Sequence, residues 1–216
     1  MRLRSDHLRG GLGDDEIRAQ GTGRDTLIGH DGDDLLYGGG GDFDFVRGKE
    51  GNDSLFGGPG DSDLLVGKVG NDDLHGGDGD DALHPGSGNN FLDGGPGEGD
   101  TVSYRRSDSS LTVGFQTNQA TGWGNDSLAD LENIAGSNYS DSLTGNGGPN
   151  FISSDHGGDN IVGLGGADVL WGSSGDDSLA GGDGDDSLDG GDGNDALDGG
   201  EGTDDCVNGE SVQNCE

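Results

Sequence analysis

The feature that most constrains this chain is a period of nine residues, cleanest at 181–198, where GGDGDDSLD is followed by GGDGNDALD. Each copy reads Gly-Gly-x-Gly-x-Asp-x-Leu-x. Three glycines in every nine positions would heavily destabilise a continuous helix. The same glycines permit turns with positive φ, which a side chain opposes. The Leu stands two residues after the Asp, so on an extended segment both face one way. Each copy is therefore expected to be a turn followed by a very short strand with one inward apolar residue. Two copies make one coil, with a strand on each side and a turn at each end. Coils then stack at the parallel-strand spacing of about 4.8 Å. The inward residue of one unit meets that of the unit two further on, so Asp186 should stack on Asp168 and Asp204.

The aliphatic position serves as a ruler. It runs Leu8, Ile17, Leu27, Leu36, Val46, Leu55, Leu65, Leu74, Leu83, Leu92 and Val102 in steps of nine or ten. The Asp two places earlier runs Asp6, Asp15, Asp25, Asp34, Asp44, Asp53, Asp63, Asp72, Asp81, then Asn90, then Asp100. In the ten-residue units GGGGDFDFVR (38–47) and GGPGDSDLLV (57–66) the extra residue falls between turn and Asp. A loop absorbs it there without turning the inward side chain to the other face. The pattern lapses from Tyr104 to about Ala135. Leu111–Phe115 alternates as an ordinary strand, and Gln116–Gly124 reads as a turn or hairpin loop. Leu128, Leu131 and Ile134 suggest one helical turn or a bent strand. A second block is more regular, with Leu143, Ile152, Ile161, Leu170, Leu179, Leu188 and Leu197, then Cys206, in unbroken steps of nine. Its polar ruler is Asp141, Asn150, Asp159, Asp168, Asp177, Asp186, Asp195 and Asp204. A disulfide from the inward Cys206 to Cys215 would close the end of the last coil. The expected organisation is a first repeat block at 1–103, an interrupting hairpin or linker at 104–135, a second block at 136–207 and a C-terminal cap at 208–216.

Hydrophobic residues make up only 26% of the chain, against roughly 45–50% in ordinary domains. Acidic residues number 44 against 10 basic ones, a net charge of −34. That balance repels nucleic acid and anionic membranes and attracts cations. No stretch is long or apolar enough to span a membrane, and Met1–Asp6 has no hydrophobic region behind it to mark a leader. Asp6 and Leu8 already fit a unit whose glycines are absent, so the chain reads as beginning inside a repeat. Stacked turns offer backbone carbonyls unhindered by side chains, with the Asp pointing back towards the gap between them. A cation there meets only oxygen, which suits Ca²⁺ over softer metals. Without metal the rows of carboxylates repel one another, and a core one residue deep is too thin to prevail. Metal binding and folding should then be one coupled process. Neither His-Glu-x-x-His nor Gly-x-Ser-x-Gly occurs in the sequence, and no enzymatic activity is expected.

Units such as GGDGDDALH (76–84), GLGGADVLW (163–171) and GGDGDDSLD (181–189) resemble hemolysin-type (RTX) calcium-binding repeat proteins, a likeness that covers about 1–103 and 134–207. The break also resembles the interruption between blocks in that family, through Asp100–Tyr104, Leu111–Val113 and Leu131–Ser137. The resemblance implies an all-β, right-handed parallel β-roll (a β-solenoid), multiple bound Ca²⁺ ions and an extracellular location. It implies as ligands the side chains of Asp6, Asp15, Asp25, Asp34, Asp44, Asp53, Asp63, Asp72, Asp81, Asp100, Asp141, Asp159, Asp168, Asp177, Asp186, Asp195 and Asp204. Beside them it implies the backbone carbonyls of Gly11, Gly13, Gly21, Gly23, Gly32, Gly51, Gly58, Gly77, Gly79, Gly166, Gly182, Gly184, Gly191, Gly193, Gly200 and Gly202. Asn90 and Asn150 keep a carbonyl oxygen but no charge, so weaker sites are expected there. Cys206 and Cys215 depart from the family habit and favour a protein oxidised outside the cell. The expected function is Ca²⁺ binding by a secreted module that folds on binding. Two other readings stay open. One is the C-terminal calcium-binding part of a larger secreted enzyme (protease, lipase or epimerase). The other is an extracellular adhesion module that self-associates or takes a cell-surface or glycan partner, with Tyr37, Phe56 and Trp171 in the contact. As calcium is withdrawn, 181–198 is expected to melt last and Tyr104–Ala135 first.

Overall fold

The computed structural model describes residues 5–215. Met1–Arg4, part of the segment without a leader pattern, and Glu216 lie outside the described residues. Among the described residues the regular elements are all β-strands, and no helix is long and apolar enough to cross a membrane. The chain divides into two compact units, Met1–Ser103 with Gly124–Leu131 and Tyr104–Trp123 with Glu132–Glu216. Each is a parallel β-solenoid whose chain alternates between two sheets.

In the first unit one sheet runs His7–Leu12, Thr26–Asp31, Phe45–Glu50, Leu64–Val69, Ala82–Ser87 and Thr101–Ser103. The other runs Glu16–Arg18, Leu35–Tyr37, Ser54–Pro59, Asp73–Asp78, Phe91–Asp93 and Asn125–Ala129. The register follows the period: Leu27, Val46, Leu65, Leu83 and Val102 pair in succession across one sheet. Leu36, Leu55, Leu74 and Leu92 do so across the other. The ten-residue units leave it intact. Phe43 and Ser62 each take a left-handed φ of 64°, so the extra residue is absorbed in the turn and Val46 and Leu65 stay inward. The partner of Leu92 is Leu128, on a strand and not on a helical turn. Thr121-Gly122-Trp123-Gly124-Asn125-Asp126-Ser127-Leu128 is thus a further unit, with Thr in place of the first Gly.

In the second unit one sheet runs Asn133–Ala135, Phe151–Ser153, Val169–Trp171, Ser187–Asp189 and Asp205–Val207. The other runs Gln119–Thr121, Thr112–Gly114, Ser142–Thr144, Asn160–Gly165, Ser178–Asp183, Ala196–Glu201 and Ser211–Gln213. The first two strands of that second sheet form an antiparallel hairpin, with Val113 opposite Ala120; the hairpin's second strand lies within the stretch expected as turn or loop. Elsewhere the ladders are parallel, as in Leu170, Leu188 and Cys206. Cys206 and Cys215 are joined in a disulfide.

The inward residues, among them Leu27, Leu55, Leu74, Leu143, Ile161 and Leu188, are fully buried. One such side chain per nine residues is far less apolar burial than ordinary domains use to offset chain ordering. Two of the outward aromatics cover their strand neighbours. Tyr37 stacks on Phe56 at 4.8 Å and Phe56 on His75 at 4.8 Å, while the Arg18 guanidinium lies 3.7 Å from the Tyr37 ring centre.

The turn glycines serve two separate purposes. Gly182 and Gly184 have φ of 117° and 143°, which only glycine adopts without strain. Gly181 lies outside the left-handed region, yet a Cβ there would overlap Asp186 Oδ2 and stand 2.5 Å from the Gly199 carbonyl. Gly163, Gly172, Gly190 and Gly199 stand in the same relation to Asp168, Asp177, Asp195 and Asp204. Gly181→Ala is therefore expected to destabilise the calcium-loaded fold by about 1–3 kcal/mol. At Gly165 the nearest atom to an added Cβ is 3.7 Å away, so Gly165→Ala is expected to be neutral or slightly stabilising. Thermal unfolding of both variants in calcium checks this; equal losses would refute the packing account.

Candidate functional site

The period places each ruler Asp over its counterpart one coil on, with the same side of the chain facing it. The backbone N–H of one then donates to Oδ1 of the next. The first file runs Asp6, Asp25, Asp44, Asp63, Asp81 and Asp100, with N···O distances of 2.6 to 2.8 Å. The second runs Asp15, Asp34, Asp53, Asp72, Asn90 and Asp126, each at 2.8 or 2.9 Å. In the second unit Asp141, Asp159, Asp177 and Asp195 form a third file. Its end is closed by Glu210, whose Oε2 accepts from the Asp195 N–H at 2.6 Å. Asn150, Asp168, Asp186 and Asp204 form the fourth. Asp186 thus sits between Asp168 and Asp204, as the period requires. Asp6 and Asp15 are half-buried; the other ruler aspartates are at most 4% exposed.

Along each file the ladder satisfies one oxygen of most carboxylates. At many of them the second oxygen has no donor. Oδ2 has no hydrogen-bond partner at Asp25, Asp34, Asp53, Asp63, Asp72, Asp81, Asp168, Asp177, Asp186, Asp195 and Asp204. Proteins leave few buried polar groups unpaired, because each costs desolvation free energy without return. The same atom unpaired in turn after turn fits a bound hard cation or a proton and no protein donor. Burial accordingly raises the carboxyl pKa values, to about 7 at Asp63 and Asp72. At Asp44, Asp53, Asp81, Asp168 and Asp177 it raises them to about 6. Neighbouring carboxylates push the same way, and the hydrogen bond from the preceding backbone N–H opposes.

The surroundings of Oδ2 are oxygen-rich. The spot over Gly181 is shared by Asp186 Oδ2 and the Gly199 carbonyl, and that over Gly76 by Asp81 Oδ2 and the Gly94 carbonyl. Of the expected carbonyls, those of Gly13, Gly23, Gly32, Gly51, Gly58, Gly77, Gly79, Gly166, Gly182 and Gly184 face the equivalent glycine of the next coil. The Gly21 carbonyl accepts from the Gly40 N–H at 3.2 Å. Gly191, Gly193, Gly200 and Gly202 stack over Ser173, Gly175, Gly182 and Gly184, and Gly11 is in register with His30. Among the described residues no group of three or more His, Cys, Asp or Glu side chains converges on one point. A cation in these gaps would meet one or two carboxylates and otherwise main-chain oxygen, a set that suits Ca²⁺.

Several participants are invisible to the nine-residue ruler. The carbonyls of first glycines such as Gly94 and Gly199 share a spot with Oδ2 of Asp81 and Asp186, whereas the resemblance implies mostly those of second and fourth glycines. Asp126 and Glu210 continue files beyond the breaks in the repeat. On the surface a second ladder runs in the opposite sense, with N–H groups of Asp33, Asn52, Asn71, Asn89 and Asn125 donating to Oδ1 of Asp14, Asp33, Asn52, Asn71 and Asn89.

A family model described as RTX calcium-binding nonapeptide repeat (4 copies) matches residues 4–21, 21–42, 40–61, 60–92, 135–170 and 171–206. No curated protein matches the chain.

Proposed function

The chain belongs to the RTX calcium-binding nonapeptide repeat family, and on that premise we propose that it is a non-enzymatic module whose Ca²⁺ ions lie between stacked turns and drive its folding. The single observation that carries this reading is the repeated buried Oδ2 without a protein donor. Each ion would be held by ruler aspartates of the file it lies in and by turn carbonyls of adjacent coils. It would cancel the burial penalty of the carboxylates and tie one coil to the next. Extracellular calcium modules of this chemistry have site affinities of about 10⁻⁴–10⁻³ M, so the chain would stay unfolded at low calcium and fold outside the cell. The disulfide between Cys206 and Cys215 supports an oxidising, extracellular setting.

The test is a calcium titration of metal-stripped protein followed by circular dichroism and calorimetry. The expected result is a largely disordered chain in excess EGTA and a β-rich one in millimolar Ca²⁺. Calorimetry should show several ions bound in the same concentration range as the structural change. A spectrum unaltered by EGTA would overturn the coupling.

A further inference from the structure

Two positions of the second unit break the pattern of unpaired oxygens, and they lie close together. At Asp141 both oxygens are satisfied by the protein. Oδ2 accepts from the Ser137 N–H at 2.7 Å and from the Ser137 hydroxyl at 3.1 Å, and Oδ1 accepts from the Leu111 N–H at 2.8 Å. At Asn150, Oδ1 accepts from the Asn146 N–H at 2.8 Å. Its Nδ2 donates to the carbonyls of Glu132 at 2.8 Å and Pro149 at 3.2 Å. The oxygens that elsewhere would face a cation here receive protein hydrogens. These residues do not fit a metal.

We propose that Tyr104–Trp123 together with residues 132–154 forms a metal-free joint that stays folded when calcium is withdrawn, with donors from Ser137 and Asn150 standing where a cation stands elsewhere. This rests on the calcium-coupled reading for the rest of the chain. Two independent features support it. The first is charge. The joint's charged side chains are Arg105, Arg106, Asp108, Glu132 and Asp141, one net negative charge out of the chain's −34. Little repulsion opposes its folding without metal. The second is core. Tyr104, Leu111, Val113, Phe115 and Ala120 are at most 7% exposed and add to Ile134, Leu143 and Ile152, which are fully buried. Two aromatics and a hairpin give this segment more apolar burial than any stretch of bare repeat has. The melting order expected from regularity of the repeat alone is thereby reversed.

Hydrogen exchange read by peptide mass spectrometry, in calcium and in excess EGTA, tests the proposal on the full chain. In EGTA, peptides from 104–123 and 132–154 should keep protection while those from 159–204 lose it. Loss of protection everywhere in EGTA would overturn the joint and leave the calcium-coupled reading intact. Full protection everywhere in EGTA would overturn that reading and the joint with it. Asn150→Asp and Ser137→Ala supply the second arm. Asn150→Asp replaces the amide donors with an unpaired buried carboxylate oxygen, and Ser137→Ala strips a donor from Asp141. Each should reduce the joint's protection in EGTA by about tenfold or more. Protection of Asn150→Asp should recover on adding calcium. Unchanged protection in both variants would overturn the assignment of these donors.

Discussion

Acidifying metal-stripped protein from pH 8 to pH 4.5 is expected to restore much of the β-structure that calcium removal takes away. The cause is the set of carboxyls that burial pushes up, to about 7 at Asp63 and Asp72 and to about 6 at Asp44, Asp53, Asp81, Asp168 and Asp177. In the unfolded chain the same groups titrate near their ordinary value of about 4. Between about 7 and 4 the metal-free fold therefore binds more protons than the unfolded chain. Its stability rises as pH falls through that window, is fully gained below about 4, and is lost again as pH climbs past the folded values. A proton on Oδ2 does part of what a cation does, since it removes the buried charge. In the presence of calcium the sign of the binding effect is opposite. Protons compete for the same oxygens, so apparent calcium affinity falls as pH drops through the same window. Circular dichroism of stripped protein at pH 8, 6 and 4.5 gives the first readout and calcium titrations at each pH give the second. General relief of net charge acts in the same direction, so a variant is needed to isolate the buried groups. Asp63→Asn with Asp72→Asn removes the two highest pKa values, and the onset of acid-induced structure should move from about pH 7 to about pH 6. Metal-free β-structure that stays flat or declines on acidification would refute the account.

The period of nine carried most of the fold because β-solenoid geometry is a direct function of spacing. A residue at nine steps faces its opposite sheet and one at eighteen steps pairs with it, so the register of Leu170, Leu188 and Cys206 follows from counting. Counting also survives single insertions, since Phe43 and Ser62 absorb them in left-handed turns. It fails where the chain leaves the coil and returns. Asn90 and Asp126 are 36 residues apart in sequence and adjacent in the file, the Asn90 N–H donating to Asp126 Oδ1 at 2.8 Å. No local pattern joins them, and Thr121 in the first-glycine place hides the unit to which Asp126 belongs. The candidate site was legible to a similar depth. The repeat identifies which carboxylates line up, but the state of each second oxygen depends on what stands beside it. Ser137 satisfies Asp141 from four residues upstream, whereas no protein donor reaches Oδ2 of Asp177 two coils on. The two carry the same place in the period, and only the local turn separates them.

Replacing Asp186 should separate the two jobs that a ruler carboxylate performs. Its Oδ1 accepts from the Asp168 N–H at 2.8 Å, and its Oδ2 is buried without a protein donor. Asp186→Ala removes both. The Asp168 N–H is left buried and unpaired, which by itself costs about 1–3 kcal/mol, and the gap loses a charged ligand. The calcium midpoint for folding should rise severalfold and calorimetry should register fewer ions. Asp186→Asn removes only the second job. Its Oδ1 still accepts from Asp168, and its Nδ2 can donate as at Asn90, whose Oδ1 accepts from the Asp72 N–H while its Nδ2 donates to Asp126 Oδ1 at 2.9 Å. This variant should also bind fewer ions. In EGTA, however, it should hold more structure than the unaltered chain, because a buried charge has been exchanged for a satisfied amide. Because stacked repeats couple chiefly to their nearest neighbours, both effects should be centred on the coils carrying Asp168 and Asp204. If Asp186→Asn matches Asp186→Ala in both readouts, the Oδ1 ladder contributes nothing measurable. If neither variant alters the ion count, the carboxylate is not a ligand, and the unpaired oxygens have been assigned the wrong partner.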